Sequence, residues 1–159
     1  MPNDLISHDP LISQNFFLEI DGEVVSVLSS VSGLDIEVEV ASIQQAGKTG
    51  KSQMVRTLGN QNKAPELQLA RMAPVDSTSD KMWTWFNEIR DKGMVVGERA
   101  KSRKNGSIVI YDTSNAEACR FNFYNAWPSK IATDQLSIDS QDPVKESITL
   151  QCERLERVK

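Results

Sequence analysis

The residue types that most often carry out acid–base or nucleophilic chemistry are scarce in this sequence of 159 residues. It has one histidine, His8, and two cysteines, Cys119 and Cys152. A serine or cysteine nucleophile needs a base held within hydrogen-bond distance, and His8 lies in a predicted loose N-terminal arm at residues 1–14. The cysteines follow no zinc-ligand spacing and are too few for a disulfide scaffold. No catalytic residue, metal ligand or cofactor site is therefore predicted.

Other charged or aromatic residues have simpler explanations than chemistry. Glu37 and Glu39 could form an acid/base pair, but on a strand they read as its solvent side. A group of cations could bind an anion or could be a solvated turn; it comprises Arg99, Lys101, Arg103 and Lys104. The net charge of −4 argues against a dedicated nucleic-acid binder. No apolar run is long enough to span a membrane.

The spacing of apolar residues predicts a mainly β chain. Phe16, Leu18 and Ile20 alternate with polar residues, and Asp21-Gly22 is a hairpin-turn signal. Further strands are predicted at 24–28, 34–40, around 67–69, at 107–112, at 119–126 and at 147–153. The strand at 34–40 has the cleanest alternation and is expected to place one face in the core. Trp127-Pro128 is expected to end its strand, and 154–159 reads as a charged tail.

One amphipathic helix is predicted between the two halves of the chain. Residues 76–80 offer several N-cap side chains, and Gly93 is a stop signal. The residues at helical spacing that form the predicted buried stripe are Met82, Trp85, Phe86 and Ile89.

The segment from 42 to 63 has no clear period and is rich in Gln, Asn, Gly and Ser. It is predicted to be a long polar loop, and such loops inside compact domains are usually functional or disordered. Nothing divides the chain, so residues 1–159 are predicted to form one domain. Its expected fold is mainly β, an antiparallel barrel or sandwich with one flanking helix.

Three motifs in order resemble one family. Val31-Ser32-Gly33-Leu34 is similar to a turn of the tail tube proteins of contractile-tailed phages and phage-like injection systems. Met82-Trp83-Thr84-Trp85-Phe86 resembles that family's Leu-Trp-x-Trp helix, and Asn125-Ala126-Trp127-Pro128 resembles its Asn-Ala-Trp-Pro segment. The resemblance covers about residues 15–156, including a strand signature at 146–155. Where the family often has Pro-Gly, this chain has Leu58-Gly59.

The resemblance implies a structural subunit with no active site and no cofactor. Six protomers would form a ring, rings would stack into a hollow tube, and contraction of a sheath would drive the tube through a target envelope. The implied partners are further copies of the chain, a sheath protein, a baseplate or spike, and possible cargo, with no specific nucleic-acid recognition and no membrane anchor. Assembly would take place in the cytoplasm, followed by incorporation into a virion tail or a releasable tail-like particle.

Within that picture, a stack of rings needs an axial contact that never closes. The expected candidates are the N-terminal arm and the loop at 42–63, with residues Ile43, Gln45, Lys48, Lys51, Met54, Arg56 and Asn60. Glu37 and Glu39 are candidates for an acidic channel lining.

Two alternatives stay open: a monomeric β-barrel that binds a ligand with exposed tryptophans, and a secreted ring protein like that of type VI secretion, which has a related fold.

Overall fold

The computed structural model describes residues 15–63, 65–92, 97 and 100–159. The predicted N-terminal arm with His8, the stop signal Gly93 and the cation Arg99 lie outside these residues. The described part has ten strands and one helix: β1 (Asn15–Ile20), β2 (Glu23–Leu28), β3 (Ser30–Ser32), β4 (Glu37–Ala46), β5 (Ser52–Lys63), β6 (Glu66–Met72), α1 (Lys81–Lys92), β7 (Lys104–Tyr111), β8 (Glu117–Thr133), β9 (Lys145–Gln151) and β10 (Arg154–Arg157).

Eight of these strands form one antiparallel sheet that closes on itself. The order is β2-β1-β7-β8-β9-β6-β3, and β10 also pairs with β8. The two ends of this order, β2 and β3, follow each other along the chain and are separated only by Ser29. The Ser29 N–H donates to the Ala70 carbonyl of β6 at 2.8 Å, which brings the two ends of the sheet together. The predicted mainly β, barrel-like fold with a flanking helix is confirmed.

Alternation along the strands fills the barrel. Leu18, Leu67, Phe123 and Ile148 are fully buried, each with polar or half-exposed neighbours in its strand. The β1–β2 connection is the predicted tight turn, with φ of 53° at Asp21 and 83° at Gly22. Positive φ at both central residues defines the turn type that matches the twist of a hairpin.

Helix α1 begins where the sequence predicts. Asp80 caps it: its Oδ2 accepts the Trp83 N–H at 3.0 Å, which satisfies one of the free donors in the first turn. Met82 and Trp85 are buried, and Phe86 and Ile89 are half-buried. The Trp85 indole N–H donates to the Ser102 carbonyl at 2.6 Å, so the buried ring keeps a polar partner.

Two predicted strand boundaries are wrong. β8 continues through Pro128 to Thr133, because its pairing with β7 stops at Ala126 and Pro128 lies at a register shift in the pairing with β9. Proline is tolerated where no ladder hydrogen bond is required of it. The predicted charged tail forms strand β10, because Leu155 is buried while its charged neighbours remain at the surface.

Candidate functional site

Strands β4 and β5 form a separate two-stranded sheet outside the barrel. Val40 lies opposite Leu58, and Ala46 lies opposite Ser52. The predicted long polar loop at 42–63 is therefore wrong: most of the segment is a β-hairpin. Its sequence lacks a clear alternation because, among the described residues, neither face of the hairpin covers a core that would require one apolar face.

The two ends of the hairpin are set by glycines. At the tip, the Gly47 N–H donates to the Lys51 carbonyl at 2.8 Å, and Gly50 has a φ of +75°. Near the base, Gly59 lies against Glu39 at a register shift, where an added Cβ would be 2.7 Å from the Glu39 Cβ. Glu37 pairs with Lys63 at 3.4 Å between exposed side chains. Close approach at Gly59 thus lets the two strands stay together across the irregularity.

The hairpin exposes an unusual number of large apolar side chains. Val38 and Val40 were expected to face the core, but they are 49% and 60% exposed, because the strand begins at Glu37 and leaves the barrel. The exposed apolar residues of the hairpin are Val38, Val40, Ile43, Met54, Val55 and Leu58. Exposed apolar groups at this density are typical of surfaces that bind another protein.

The hairpin is also cationic beyond its base. From 40 to 62 the sequence has three basic residues, Lys48, Lys51 and Arg56, and no acidic residue. Lys48 and Lys51 flank the tip, and Arg56 lies opposite Ser42. A partner surface that covers this hairpin must therefore be acidic or neutral.

Most of the residues predicted for inter-ring contact lie together on this hairpin and are exposed. Ile43 and Gln45 lie on one face with Val55, whereas Met54 and Arg56 lie on the other face with Gln44. The side chain of Asn60 is outside the described part of the structure. Both predicted channel residues, Glu37 and Glu39, are exposed near the hairpin base.

A second exposed apolar surface lies where β6, β8 and β9 meet their loops. It is formed by the loop 134–144 and by the end of β6 with the residues after it. The Ala73 N–H donates to the Val144 carbonyl at 2.8 Å, which joins the two segments. The exposed apolar residues there are Met72, Val75, Leu136, Ile138 and Val144. This surface was not predicted from the sequence. The signal that could have indicated it is the pair of apolar residues Leu136 and Ile138 in an otherwise polar segment.

A buried ion cluster lies beside this second surface. Arg71 donates to both carboxylate oxygens of Asp80, at 2.9 and 2.7 Å, and to Glu146 at 3.2 Å. Glu146 also accepts the Trp83 indole N–H at 3.1 Å. Arg71 and Glu146 are buried, so burial makes the mutual pairing of these groups essential. The cluster joins β6, α1 and β9 into one rigid unit.

We predict an acid-sensitive contribution to stability from Asp80. Burial alone would raise its pKa, but hydrogen bonds from Arg71 and the Trp83 N–H, with the charge of Arg71, hold the pKa below its usual value. A carboxyl whose pKa is lower in the folded state stabilises that state at pH values above its unfolded pKa of about 4. That stabilisation is lost as the pH falls through the folded pKa. Urea unfolding at a series of pH values should show that the free energy of unfolding falls less steeply with decreasing pH for Asp80→Asn than for the wild type. Equal slopes would contradict the prediction.

Within the described ranges, the residues considered for chemistry are not brought together. Cys119 and Cys152 are buried and unbridged, and burial raises the pKa of the Cys152 thiol, which disfavours the reactive thiolate. Arg103 pairs with Glu153 and stacks over Trp127 at 4.7 Å. Among the described residues, no group of three or more His, Cys, Asp and Glu side chains could hold a metal ion. No helix in that part of the chain has the length and hydropathy to cross a membrane.

The tryptophans do not line a common cleft. Trp85 is on the buried face of α1, the Trp83 indole N–H donates to Glu146, and Trp127 is half-buried beneath Arg103. Nothing in their arrangement supports the alternative of a ligand-binding module that uses exposed tryptophans. The features that need a partner are the hairpin and the surface around loop 134–144.

Several solved structures have a similar fold. A chain of the PVC sheath-tube complex in its extended state matches at 20% identity and a TM-score of 0.72, covering 99% of this chain and 97% of that one. A chain of the anti-feeding prophage baseplate matches at 14% identity and 0.73, covering 95% and 97%. Hcp1 from Salmonella typhimurium matches at 13% identity and 0.51, covering 92% and 86%. No curated protein sequence matches the chain.

A family model gives the more specific result. The model described as T4-like virus tail tube protein gp19 matches residues 13–156, which include the barrel, the helix, the hairpin and loop 134–144. This agrees with the resemblance carried by the three motifs. Because the match spans nearly the whole chain, the protein belongs to the T4-like virus tail tube protein family.

Proposed function

We propose that six copies of this tail tube subunit close into a ring, and that rings stack through hairpin β4–β5 into the hollow inner tube of a phage tail or contractile injection system. A sheath around the tube contracts and drives it through a target envelope. The subunit is assembled in the cytoplasm and ends up in a virion tail or a tail-like particle, attached to a baseplate or spike at one end.

The unsupported hairpin is the observation that carries this proposal. A two-stranded ribbon is at best marginally stable in water on its own, and within the described residues β4 and β5 pair only with each other. The hairpin nevertheless exposes six large apolar side chains, from Val38 to Leu58. Burying them against a neighbouring ring would stabilise both the hairpin and the stack, by about 25 cal/mol per Å² of apolar surface removed from water.

An unpaired strand edge supports ring closure. Among the described residues, no strand pairs with the outer edge of β10. Free edges are templates for pairing with another chain, and a head-to-tail contact closes into a ring when its rotation closes. The proposed number of six subunits agrees with the symmetry of the anti-feeding prophage baseplate structure, which contains a chain of similar fold and is 6-fold symmetrised.

An acidic channel lining is part of the proposal. Glu37 and Glu39 are exposed near the hairpin base, where they would face the channel if the hairpins line it. Carboxylates on a channel wall repel acidic cargo and nucleic acid. A map of the assembled tube that places both side chains on its outer wall would contradict this assignment.

Shortening the hairpin is predicted to abolish tubes and spare the barrel. The variant removes residues 43–55 and joins Ser42 to Arg56, its partner across the hairpin, through Asn-Gly, a favoured two-residue turn. We expect the wild-type protein to form rings and tubes about ten nanometres across by electron microscopy, and the shortened variant to stop at single rings. Circular dichroism and thermal unfolding should show that the barrel remains folded.

A matched control separates the hairpin from exposed apolar residues in general. Val40→Ser with Leu58→Ser changes a facing pair on the hairpin and should shorten the tubes. Val158→Ser changes a comparably exposed valine outside it and should leave tube length unchanged. Wild-type tube lengths in the shortened variant would overturn the proposed role of the hairpin.

A further inference from the structure

We propose that the surface formed by loop 134–144 and the end of β6 is the socket that receives the β4–β5 hairpin of the next copy. This inference rests on the proposed stacking function and names the second half of the axial contact. It follows from three independent features: the position of the two surfaces, their exposed apolar residues and their opposite charge.

The two surfaces leave opposite ends of the same part of the sheet. Where β6 begins, Glu66 lies opposite Gln151, which lies opposite Trp127; the hairpin joins β6 at this end, through β5. Where β6 ends, Met72 lies opposite Lys145, and loop 134–144 connects β8 to β9 at this end. A contact between unlike surfaces at opposite ends repeats without closing, which is the geometry of a stack.

Exposed apolar residues concentrate at these two ends. The hairpin and the socket together contain 11 of the 15 large apolar residues that are exposed in the described part of the chain. In the socket, Ile138 is fully exposed and Leu136 is 69% exposed. Loop 134–144 also lines a concave space of about 500 Å³, which can accept side chains from the hairpin.

The charges of the two surfaces are opposite. The hairpin has three cations and no anion between 40 and 62, whereas the loop has three anions and no cation between 134 and 144. The loop anions are Asp134, Asp139 and Asp142, and all three are exposed. Opposite potentials select the partner and its orientation more than they add affinity. The charges thus favour hairpin-to-socket contacts over hairpin-to-hairpin contacts, in which cations would meet cations.

The neighbouring structure anchors the segments that form the socket. The Arg71 cluster holds β6, α1 and β9 together directly beside it. The Ala73–Val144 hydrogen bond ties the segment after β6 to the loop. A rigid receiver loses less conformational entropy on binding than a loose one.

Charge reversal and charge exchange test the pairing. The variants are Lys48→Glu with Lys51→Glu on the hairpin, Asp139→Lys with Asp142→Lys on the socket, and a chain that carries all four changes. We expect each double variant to raise the lowest protein concentration that gives tubes by about tenfold or more, because like charges then meet. The fourfold variant should recover most of that loss. Sedimentation and electron microscopy at low salt measure the effect.

The control changes the same number of charges away from both surfaces. Glu88→Lys with Asp91→Lys on α1 should leave the critical concentration within about threefold of the wild type, as expected for surface charges outside the proposed contact. Circular dichroism of each variant verifies its fold. The inference is overturned if the socket variant elongates like the wild type, if the fourfold variant is no better than either double variant, or if the α1 control is equally impaired.

Failure of the socket and failure of the stacking function give different results. If the shortened hairpin stops at rings while the socket variant forms normal tubes, the hairpin acts in stacking and its receiver is elsewhere. If the shortened hairpin still forms tubes, the stacking role itself is wrong.

Discussion

Arg71→Met is expected to lower the free energy of unfolding by about 3–5 kcal/mol, the usual cost of removing one partner from a buried ion pair. The change leaves Asp80 and Glu146 facing each other without the guanidinium that both contact. Methionine fills a similar volume, so the decrease in the free energy of unfolding measures mainly the cost of the unpaired charges and only a small change in packing. Urea unfolding at neutral pH, followed by tryptophan fluorescence, measures it. The hairpin-shortened background is used because assembly would add to apparent stability.

Two companion variants make the interpretation specific. Arg90→Met removes an exposed ion pair with Asp91 and should cost at most about 1 kcal/mol. Arg71→Met combined with Asp80→Asn and Glu146→Gln should recover part of the loss, because the stranded charges are then gone. If Arg71→Met costs no more than Arg90→Met, the cluster does not hold the helix to the barrel as described.

Gly33→Ala is expected to cost more than about 2 kcal/mol, since the left-handed backbone alone costs about 1–2 kcal/mol for a residue with a Cβ. Gly33 has a φ of +83°, and an added Cβ would lie 2.0 Å from the Glu66 carbonyl oxygen. The Glu66 carbonyl belongs to the backbone and cannot swing aside like a flexible side chain. The chain at Gly33, directly after β3, must therefore move away from the start of β6. This is the glycine of the Val-Ser-Gly-Leu motif, and its close approach explains why that motif needs glycine.

Gly22→Ala is the matched control for that substitution. Gly22 also has a φ of +83°, but nothing lies within 4 Å of its added Cβ. It should therefore show only the backbone cost of about 1–2 kcal/mol, and the difference between the two variants isolates the steric overlap. Thermal unfolding of both proteins measures the difference, and equal losses would show that the contact with Glu66 does not matter.

Elements that depend on neighbouring residues could be predicted from the sequence. Asp80 caps α1, as its residue type and position indicate. Met82 and Trp85 are buried because helical spacing places both side chains on one face. The Asp21-Gly22 turn has the positive φ angles that its residue types favour. The three motifs placed the chain in its family, although the fold alone is shared with proteins at 13–20% identity.

Elements that depend on remote residues or on other copies could not be predicted in the same way. Alternation in the strand at 34–40 predicts a core face, yet Val38 and Val40 are exposed, because that strand leaves the barrel at Glu37. The polar segment after it is a hairpin whose faces have no cover within the described chain. Leu136 and Ile138 give no periodic signal, since they lie in a loop.

By itself, then, the sequence determined a mainly β subunit with one helix, its tight turns and its tail tube family, because these follow from local conformational preferences and from the order of short motifs. Only the tertiary structure decided that the hairpin and loop 134–144 leave opposite ends of the sheet, and that Arg71, Asp80 and Glu146 meet between three elements. The physical reason is that a side chain's partners are set by strand register and barrel closure, which join residues far apart in the chain.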